Sequence, residues 1–187
     1  MDQPVVRSEG VTETLTAPPS APSSWARFET LYRSSRDDVY AYVCTLLRDP
    51  AAAEDVTALA FERAYRRRRT FDRRRGEERA WLFGIARNAA LDELRRRRRV
   101  AALVTEPVDE AVSPDDEDGV EVALRRTALQ AALAKLPARE REIVALKFHA
   151  GLSNTELAGV LGVSESNAGT LLYRTMEKLR KACNATA

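Results

Sequence analysis

The sequence predicts an all-α fold made of two small helical domains joined by a flexible acidic linker. Three observations predict it. Apolar residues recur at three- and four-residue spacing through most of residues 25–99 and 121–182, as in amphipathic helices. No stretch shows the alternating apolar and polar pattern of a strand. Residues 100–120 between the helical parts contain acids, prolines and few large apolar side chains, which indicates a linker.

The N-terminal part is predicted to be a disordered tail, residues 1–23, followed by a three-helix domain, residues 24–99. The tail is rich in Pro, Ser, Thr and Ala and can bury little apolar surface. In the domain, Asp49-Pro50 separates the first two helices, because proline favours the first position of a helix. The three helices are expected near residues 25–48, 50–68 and 77–99.

The C-terminal domain, residues 121–183, is predicted to contain a helix–turn–helix motif. Ser153 and Glu156 have the spacing of a capping box, and Gly162 permits the sharp turn that follows. Ser164 can then cap the second helix of the motif. The four helices of this domain are expected near residues 121–135, 138–149, 154–161 and 165–182.

The second helix of the motif has two distinct faces. One face is apolar and carries Ala168, Leu172, Met176 and Leu179. The opposite face carries residue types that can read base edges in a DNA groove. The residues predicted to contact DNA are Ser164, Glu165, Ser166, Asn167, Thr170 and Arg174. The alternative interpretation is an ordinary helical hairpin with a polar outer face.

Arginines are concentrated in the N-terminal domain. Residues 63–99 hold fifteen Arg against five acids, whereas residues 104–121 hold eight acids and no base. Arg95–Arg99 extend around all sides of a helix, too many for one ion-pair partner each, and suit DNA phosphates. Trp81 and Asn88 lie on one stripe of the helix that carries these arginines. Trp81 could stack on an unpaired base, and Asn88 could form hydrogen bonds with a base edge. The alternatives are a solvated charge run or targeting patch for the arginines, and a core position for Trp81.

Two blocks of sequence resemble a known family when they are taken together. The block AAAEDVTALAFERAY, continued by WLFGIARNAALDELRRRRR, resembles region two of a bacterial extracytoplasmic-function (ECF) sigma factor. The block from LPAREREIVALKF to LLYRTMEKLRK resembles region four of the same family. The resemblance implies a promoter-recognition subunit that binds the beta and beta-prime subunits of core RNA polymerase. It also implies recognition of the minus-ten and minus-thirty-five elements of promoter DNA and, in some members, inhibition by an anti-sigma factor.

The resemblance also assigns residues to these roles. Core-polymerase binding is expected of Glu54, Asp55, Phe61, Glu62 and Tyr65. Binding and melting of the minus-ten element is expected of Trp81, Arg87, Asn88, Asp92, Arg95 and Arg96. The chain departs from the family pattern at Ala58-Leu59 in the first segment. It also has Gly169 and Leu171 where the reading helix commonly carries Lys and Arg.

Several classes of function are not favoured by the sequence. It contains no phosphate-binding glycine loop, no nucleophile–base pair and a single histidine, so we predict no enzyme activity, catalytic residue, metal or cofactor. No apolar run approaches the roughly 20 residues of a membrane span, and a cytoplasmic location is expected. The alternatives are a stand-alone helix–turn–helix transcriptional regulator and an arginine-rich RNA-binding adaptor.

Overall fold

The computed structural model describes residues 24–72, 74, 76–102 and 120–184, without the side chains of 120–126. These residues form seven α-helices and no strand, which confirms the all-α class. The predicted tail and most of the predicted linker lie outside the described residues. The helices are α1 Ser24–Leu47, α2 Pro50–Arg67, α3 Glu78–Ala101, α4 Val120–Lys135, α5 Ala138–Phe148, α6 Asn154–Leu161 and α7 Glu165–Asn184. We call α1–α3 the N-terminal bundle and α4–α7 the C-terminal bundle.

The corner between α1 and α2 is fixed by three consecutive residues. Arg48 takes a left-handed backbone conformation with φ 53°, which ends α1. The Asp49 carboxylate accepts a hydrogen bond from the Ala52 amide at 3.1 Å, and Pro50 occupies the first turn of α2. The local sequence therefore stops one helix and starts the next without an intervening loop.

The core of the N-terminal bundle follows the predicted helical spacing. Val39 and Val43 on α1, Ala60 on α2 and Leu82 on α3 are fully buried. Aromatic side chains add a layer between α1 and α2, where the Tyr32 and Phe61 ring centroids lie 4.8 Å apart. Close apolar contact among all three helices holds the bundle together.

The two bundles pack against each other, which the sequence did not predict. Helix α1 contacts α5, and α3 contacts α6. Buried residues of both bundles belong to one continuous apolar cluster, to which the C-terminal bundle contributes Ile143, Leu146, Leu152 and Leu157. Arg79 of α3 reinforces the contact, since its Nε donates to the Ala150 carbonyl at 2.6 Å.

Candidate nucleic-acid and polymerase interface

The helix–turn–helix motif has the local geometry that its sequence predicts. Ser153 Oγ accepts from the Glu156 amide, and the Glu156 carboxylate accepts from the Ser153 amide at 2.8 Å, which completes the capping box. Gly162 follows α6 with φ 67°, a left-handed conformation that favours glycine. Ser164 Oγ then accepts from the Asn167 amide at the start of α7. These contacts set the angle between α6 and α7.

Helix α7 presents its predicted reading face to solvent. Its inner side is buried through Ala168, Thr175 and Leu179, whereas Met176, predicted to face inward, is 37% exposed. Thr175 takes the inner position because its hydroxyl donates to the Leu171 carbonyl within the helix. The side chains exposed on the reading face are Ser164, Glu165, Ser166, Asn167, Thr170 and Arg174.

The basic side chains beyond the reading face are partly neutralised. Lys178 donates to Glu140 of α5, and Arg180 pairs with Glu177 of α7. Arg174 is exposed and forms no ion pair with another described residue. Because it also lies on the reading face, it is better placed to bind DNA than Lys181, which is exposed but lies in the last turn of α7.

The predicted melting residues lie along α3. Asn88 is exposed, whereas Trp81 is half-buried and packs against Phe71, with 5.3 Å between ring centroids. Trp81 is therefore partly a core residue, yet part of its ring stays accessible. A core position and stacking on an unpaired base are compatible for this residue.

Three members of the arginine run, Arg95–Arg97, have ion-pair partners among the described residues, whereas Arg98 and Arg99 have none there. Arg95 donates to Asp92 at 3.2 Å, and Arg96 donates to Glu93 at 2.7 Å. Arg97 donates to Glu93 and also to Asp49, which lies at the corner between α1 and α2. Acids one helical turn away, and one distant acid, reach these three guanidinium groups, but the run does not have one acid for each arginine, as the sequence predicted.

The ion pairs of the run differ in burial. The side chains of Arg95 and Arg96 are 66% and 64% exposed, so a phosphate can reach both guanidinium groups and replace the acid partner. Arg97 is less exposed and links α3 to the start of α2. Bonds from Arg96 and then Arg97 lower the pKa of Glu93 from 4.5 to about 2. Arg97 is therefore mainly structural, while Arg95 and Arg96 remain available.

Arg87 lies in a different environment from the other predicted minus-ten residues. Its Nε donates to the Glu142 carboxylate of α5 at 2.6 Å, across the contact between the two bundles. The Tyr42 hydroxyl donates to the same carboxylate oxygen at 3.4 Å. Burial and the neighbouring Glu142 raise the pKa of Tyr42 well above its usual range. Sequence reasoning missed Tyr42 and Glu142, since no local pattern signals a contact across 100 residues.

The predicted polymerase-binding residues of α2 are divided between its exposed face and the core of the bundle. Glu54, Asp55 and Glu62 are exposed, as is Ala58 at the departure from the family pattern. Tyr65 is half-buried against Phe28 and lies under the Arg68 guanidinium. Phe61 is only 5% exposed and packs in the bundle core, so any effect of Phe61 on a partner would pass through the shape of α2.

An apolar groove runs between the bundles along α1, α4, α5 and α7. Its volume is about 990 Å³, and Phe148, 62% exposed, and Leu129 contribute to its lining. Cys44 and Cys183 are free thiols that line it from opposite bundles. Burial raises the pKa of the Cys44 thiol. Cys44 is half-buried because the groove opens beside it.

The described residues contain no cluster of three or more His, Cys, Asp or Glu side chains arranged to hold a metal ion. None of the helices in this part of the chain is both long enough and apolar enough to cross a membrane.

Two family models match the chain. The one described as Sigma-70 region 2 matches residues 31–100, and the one described as Sigma-70, region 4 matches residues 126–179. Together they cover more than half of the chain and coincide with the two bundles.

Curated relatives agree with these matches. The chain is 36% identical over 156 residues to the ECF RNA polymerase sigma factor BldN of Streptomyces coelicolor, covering 82% of this chain and 59% of BldN. It is 31% identical over 163 residues to the ECF RNA polymerase sigma factor SigL of Mycobacterium tuberculosis, covering 86% of this chain and 91% of SigL.

A solved structure shows the same fold. The sigma factor RpoE of Bartonella quintana, crystallised with the anti-sigma factor NepR, superposes with a TM-score of 0.71 at 21% sequence identity. The match covers 84% of this chain and 97% of that chain. The arrangement of helices is therefore shared over nearly all of the RpoE chain.

Proposed function

Because the chain belongs to the ECF family of RNA polymerase sigma factors, we propose that α3 captures and opens the minus-ten element while α7 reads the minus-thirty-five element. The exposed polar face of α7 supports the proposed reading of the minus-thirty-five element. Asn167 can pair with adenine and Arg174 with guanine, and Ser166 and Thr170 suit bases or phosphate. A helix used only for packing would have no need of this combination.

The small number of basic residues on α7 is consistent with a subunit whose electrostatic attraction to DNA phosphates comes mainly from other parts of the complex. The Ser164 side chain caps the Asn167 amide, which leaves the Glu165 and Ser166 amides at the helix N-terminus for a DNA phosphate. Most of the positive charge belongs to the N-terminal bundle, and the polymerase adds its own contacts. We therefore expect weak promoter binding by the free protein and tight binding by the holoenzyme.

Opening of the promoter requires no catalytic group on this chain. A surface that binds the single-stranded form more tightly than the duplex shifts the melting equilibrium by that difference in affinity. Trp81 supplies a ring for stacking and Asn88 supplies hydrogen bonds to a base edge. Phosphodiester chemistry then belongs to the polymerase, and the protein acts in the cytoplasm, where bacterial transcription occurs.

The other proposed partners are proteins. The exposed acids of α2, Glu54, Asp55 and Glu62, suit a basic surface on the beta-prime subunit. The C-terminal bundle would contact the beta subunit. An anti-sigma factor is a further proposed partner, by analogy with the NepR complex of RpoE.

Run-off transcription with purified core polymerase and promoter fragments from the source genome tests this function. Transcripts that share two spaced upstream elements are the expected result. Asn167→Ala should cost about 1–3 kcal/mol of discrimination at one position of the upstream element. Asn184→Ala, at the exposed far end of the same helix, is the matched control and should change nothing. Tight, specific duplex binding by the free protein without transcription would instead establish the stand-alone regulator.

The opening step is tested with two templates that differ only in whether the minus-ten region is paired. Trp81→Ala and Asn88→Ala should reduce transcription from the duplex template. A template with a mismatched, already open region should restore much of the transcription lost by Asn88→Ala. Equal loss on both templates would assign these residues to binding or folding instead of melting.

A further inference from the structure

Glu142 forms a buried, charged contact between the two bundles. The residue is 7% exposed, and its carboxylate accepts hydrogen bonds from Arg87 at 2.6 Å and from Tyr42 at 3.4 Å. Both donors belong to the N-terminal bundle, whereas Glu142 belongs to α5. A buried carboxylate is costly unless it is paired, so this contact favours the arrangement in which the bundles touch.

The same contact occupies a residue that we assign to DNA. Arg87 is a proposed phosphate-binding residue of the minus-ten surface, and its side chain is only 22% exposed in the pair with Glu142. The Nε hydrogen is donated to Glu142, and the other N–H donors of the Arg87 guanidinium belong to the same largely buried side chain, which leaves little room for a phosphate. Glu142 and promoter DNA therefore compete for Arg87.

The packed arrangement is also too small to engage both promoter elements at once. Their centres, about 25 base pairs apart, are separated by roughly 85 Å at 3.4 Å per base pair. A compact chain of 187 residues has a radius of gyration of about 16 Å and a diameter of about 40 Å. The bundles must therefore separate before α3 and α7 can both reach their elements.

We propose that the Arg87–Glu142 ion pair, supported by Tyr42, is an autoinhibitory contact that holds the free protein closed and withholds Arg87 from DNA. The expected effect on transcription rests on the proposed function. The closed arrangement of the free protein does not depend on that function. Polymerase and promoter DNA open the chain by binding the separated bundles and replacing the Glu142 carboxylate with a phosphate at Arg87.

Glu142→Gln tests the proposal, with Glu140→Gln as the matched control. Both glutamates lie on α5, but Glu140 pairs with Lys178 inside the C-terminal bundle, so its loss leaves the interbundle contact intact. The full-length variants are compared by small-angle X-ray scattering and by run-off transcription at limiting protein concentration.

Glu142→Gln should lower the ratio of closed to open protein by about tenfold or more, because it removes the charge from a buried pair. The radius of gyration should rise, and less protein should be needed for half-maximal transcription. Glu140→Gln should match the unsubstituted protein in both measurements. A radius of gyration unchanged by Glu142→Gln, or equally increased by Glu140→Gln, would overturn the proposal.

The two measurements separate failure of this inference from failure of the proposed function. If no variant supports transcription while Glu142→Gln still expands the protein, the contact is real and the proposed function is wrong. If circular dichroism shows that Glu142→Gln does not fold, Tyr42→Phe replaces it, since it removes only one hydroxyl. That variant should produce a smaller expansion in the same direction, and no expansion would count against the proposal.

Discussion

The Asp49 carboxylate connects the start of α2 to the end of α3, because it accepts a hydrogen bond from the Arg97 guanidinium at 2.5 Å while it caps α2. The cap bond to the Ala52 amide, followed by the bond from Arg97, holds the pKa of Asp49 below its usual range. One side chain thus satisfies a helix terminus and fixes the position of the arginine run.

Replacing Asp49 should therefore lower stability in a graded way. Asp49→Ala removes both the cap and the ion pair, whereas Asp49→Asn keeps an oxygen that can accept from the Ala52 amide. We expect the urea midpoint to fall more for alanine than for asparagine. Asp37→Ala is the control and should have little effect, because Asp37 is exposed on α1 and pairs with its neighbour Arg36. Equal losses for Asp49→Ala and Asp49→Asn would show that the cap contributes nothing.

Glu93 should make stability depend on pH in the acid range. Its pKa falls from 4.5 to about 2 in the folded protein, so the unfolded chain binds a proton more readily. The ionised form therefore stabilises the fold above about pH 4.5, and this contribution is lost as the pH falls toward 2. Between pH 6 and pH 3, the free energy of unfolding measured with urea should decline less for Glu93→Gln than for the unsubstituted protein. Glu165→Gln is the control for the loss of one carboxylate. Glu165 is exposed and has no ion pair in the described part of the chain.

Two glycines of the helix–turn–helix motif should respond to alanine in opposite directions. Gly162 has φ 67°, so Gly162→Ala places a side chain in a strained left-handed conformation and should cost about 1 kcal/mol. Gly159 lies in α6 with no atom near its potential Cβ, so Gly159→Ala should stabilise by about 0.4–1 kcal/mol. Thermal unfolding measures both changes, and a shift in the same direction for both would contradict the turn geometry.

The arginine run should control the salt dependence of promoter binding. Arg95→Ala removes a proposed phosphate contact and should reduce the slope of log affinity against log salt by about 1 for the holoenzyme. Arg33→Ala removes an equally exposed arginine, paired with Glu29 on α1, and should leave the slope unchanged. An unchanged slope for Arg95→Ala would remove that residue from the DNA interface.

Most of the helices could be predicted because their signals are local. Pro50, the Ser153–Glu156 capping box and Gly162 each act within four residues, and the helix boundaries they imply agree closely with the structure. Apolar spacing likewise located the buried positions Ala168 and Leu179 on α7.

The contacts between distant residues could not be predicted in this way. Nothing near Glu142 or Tyr42 in the sequence distinguishes them from other polar positions on amphipathic helices, and their pairing depends on how the bundles pack. The same holds for Arg97, whose partner Asp49 lies 48 residues away. The residue roles assigned to DNA and polymerase binding remain predictions, because they concern molecules outside this chain.

The shared core of the two bundles places conflicting demands on its apolar residues. Leu152 and Leu157 are almost fully buried and belong to the cluster that spans both bundles. If the bundles separate as proposed, part of this apolar surface becomes accessible to water, and exposed apolar patches promote aggregation. Additional apolar contact between the bundles would stabilise the closed protein but enlarge the apolar surface that the open protein exposes. Solubility during transcription therefore limits how far evolution or engineering can improve the stability of this fold.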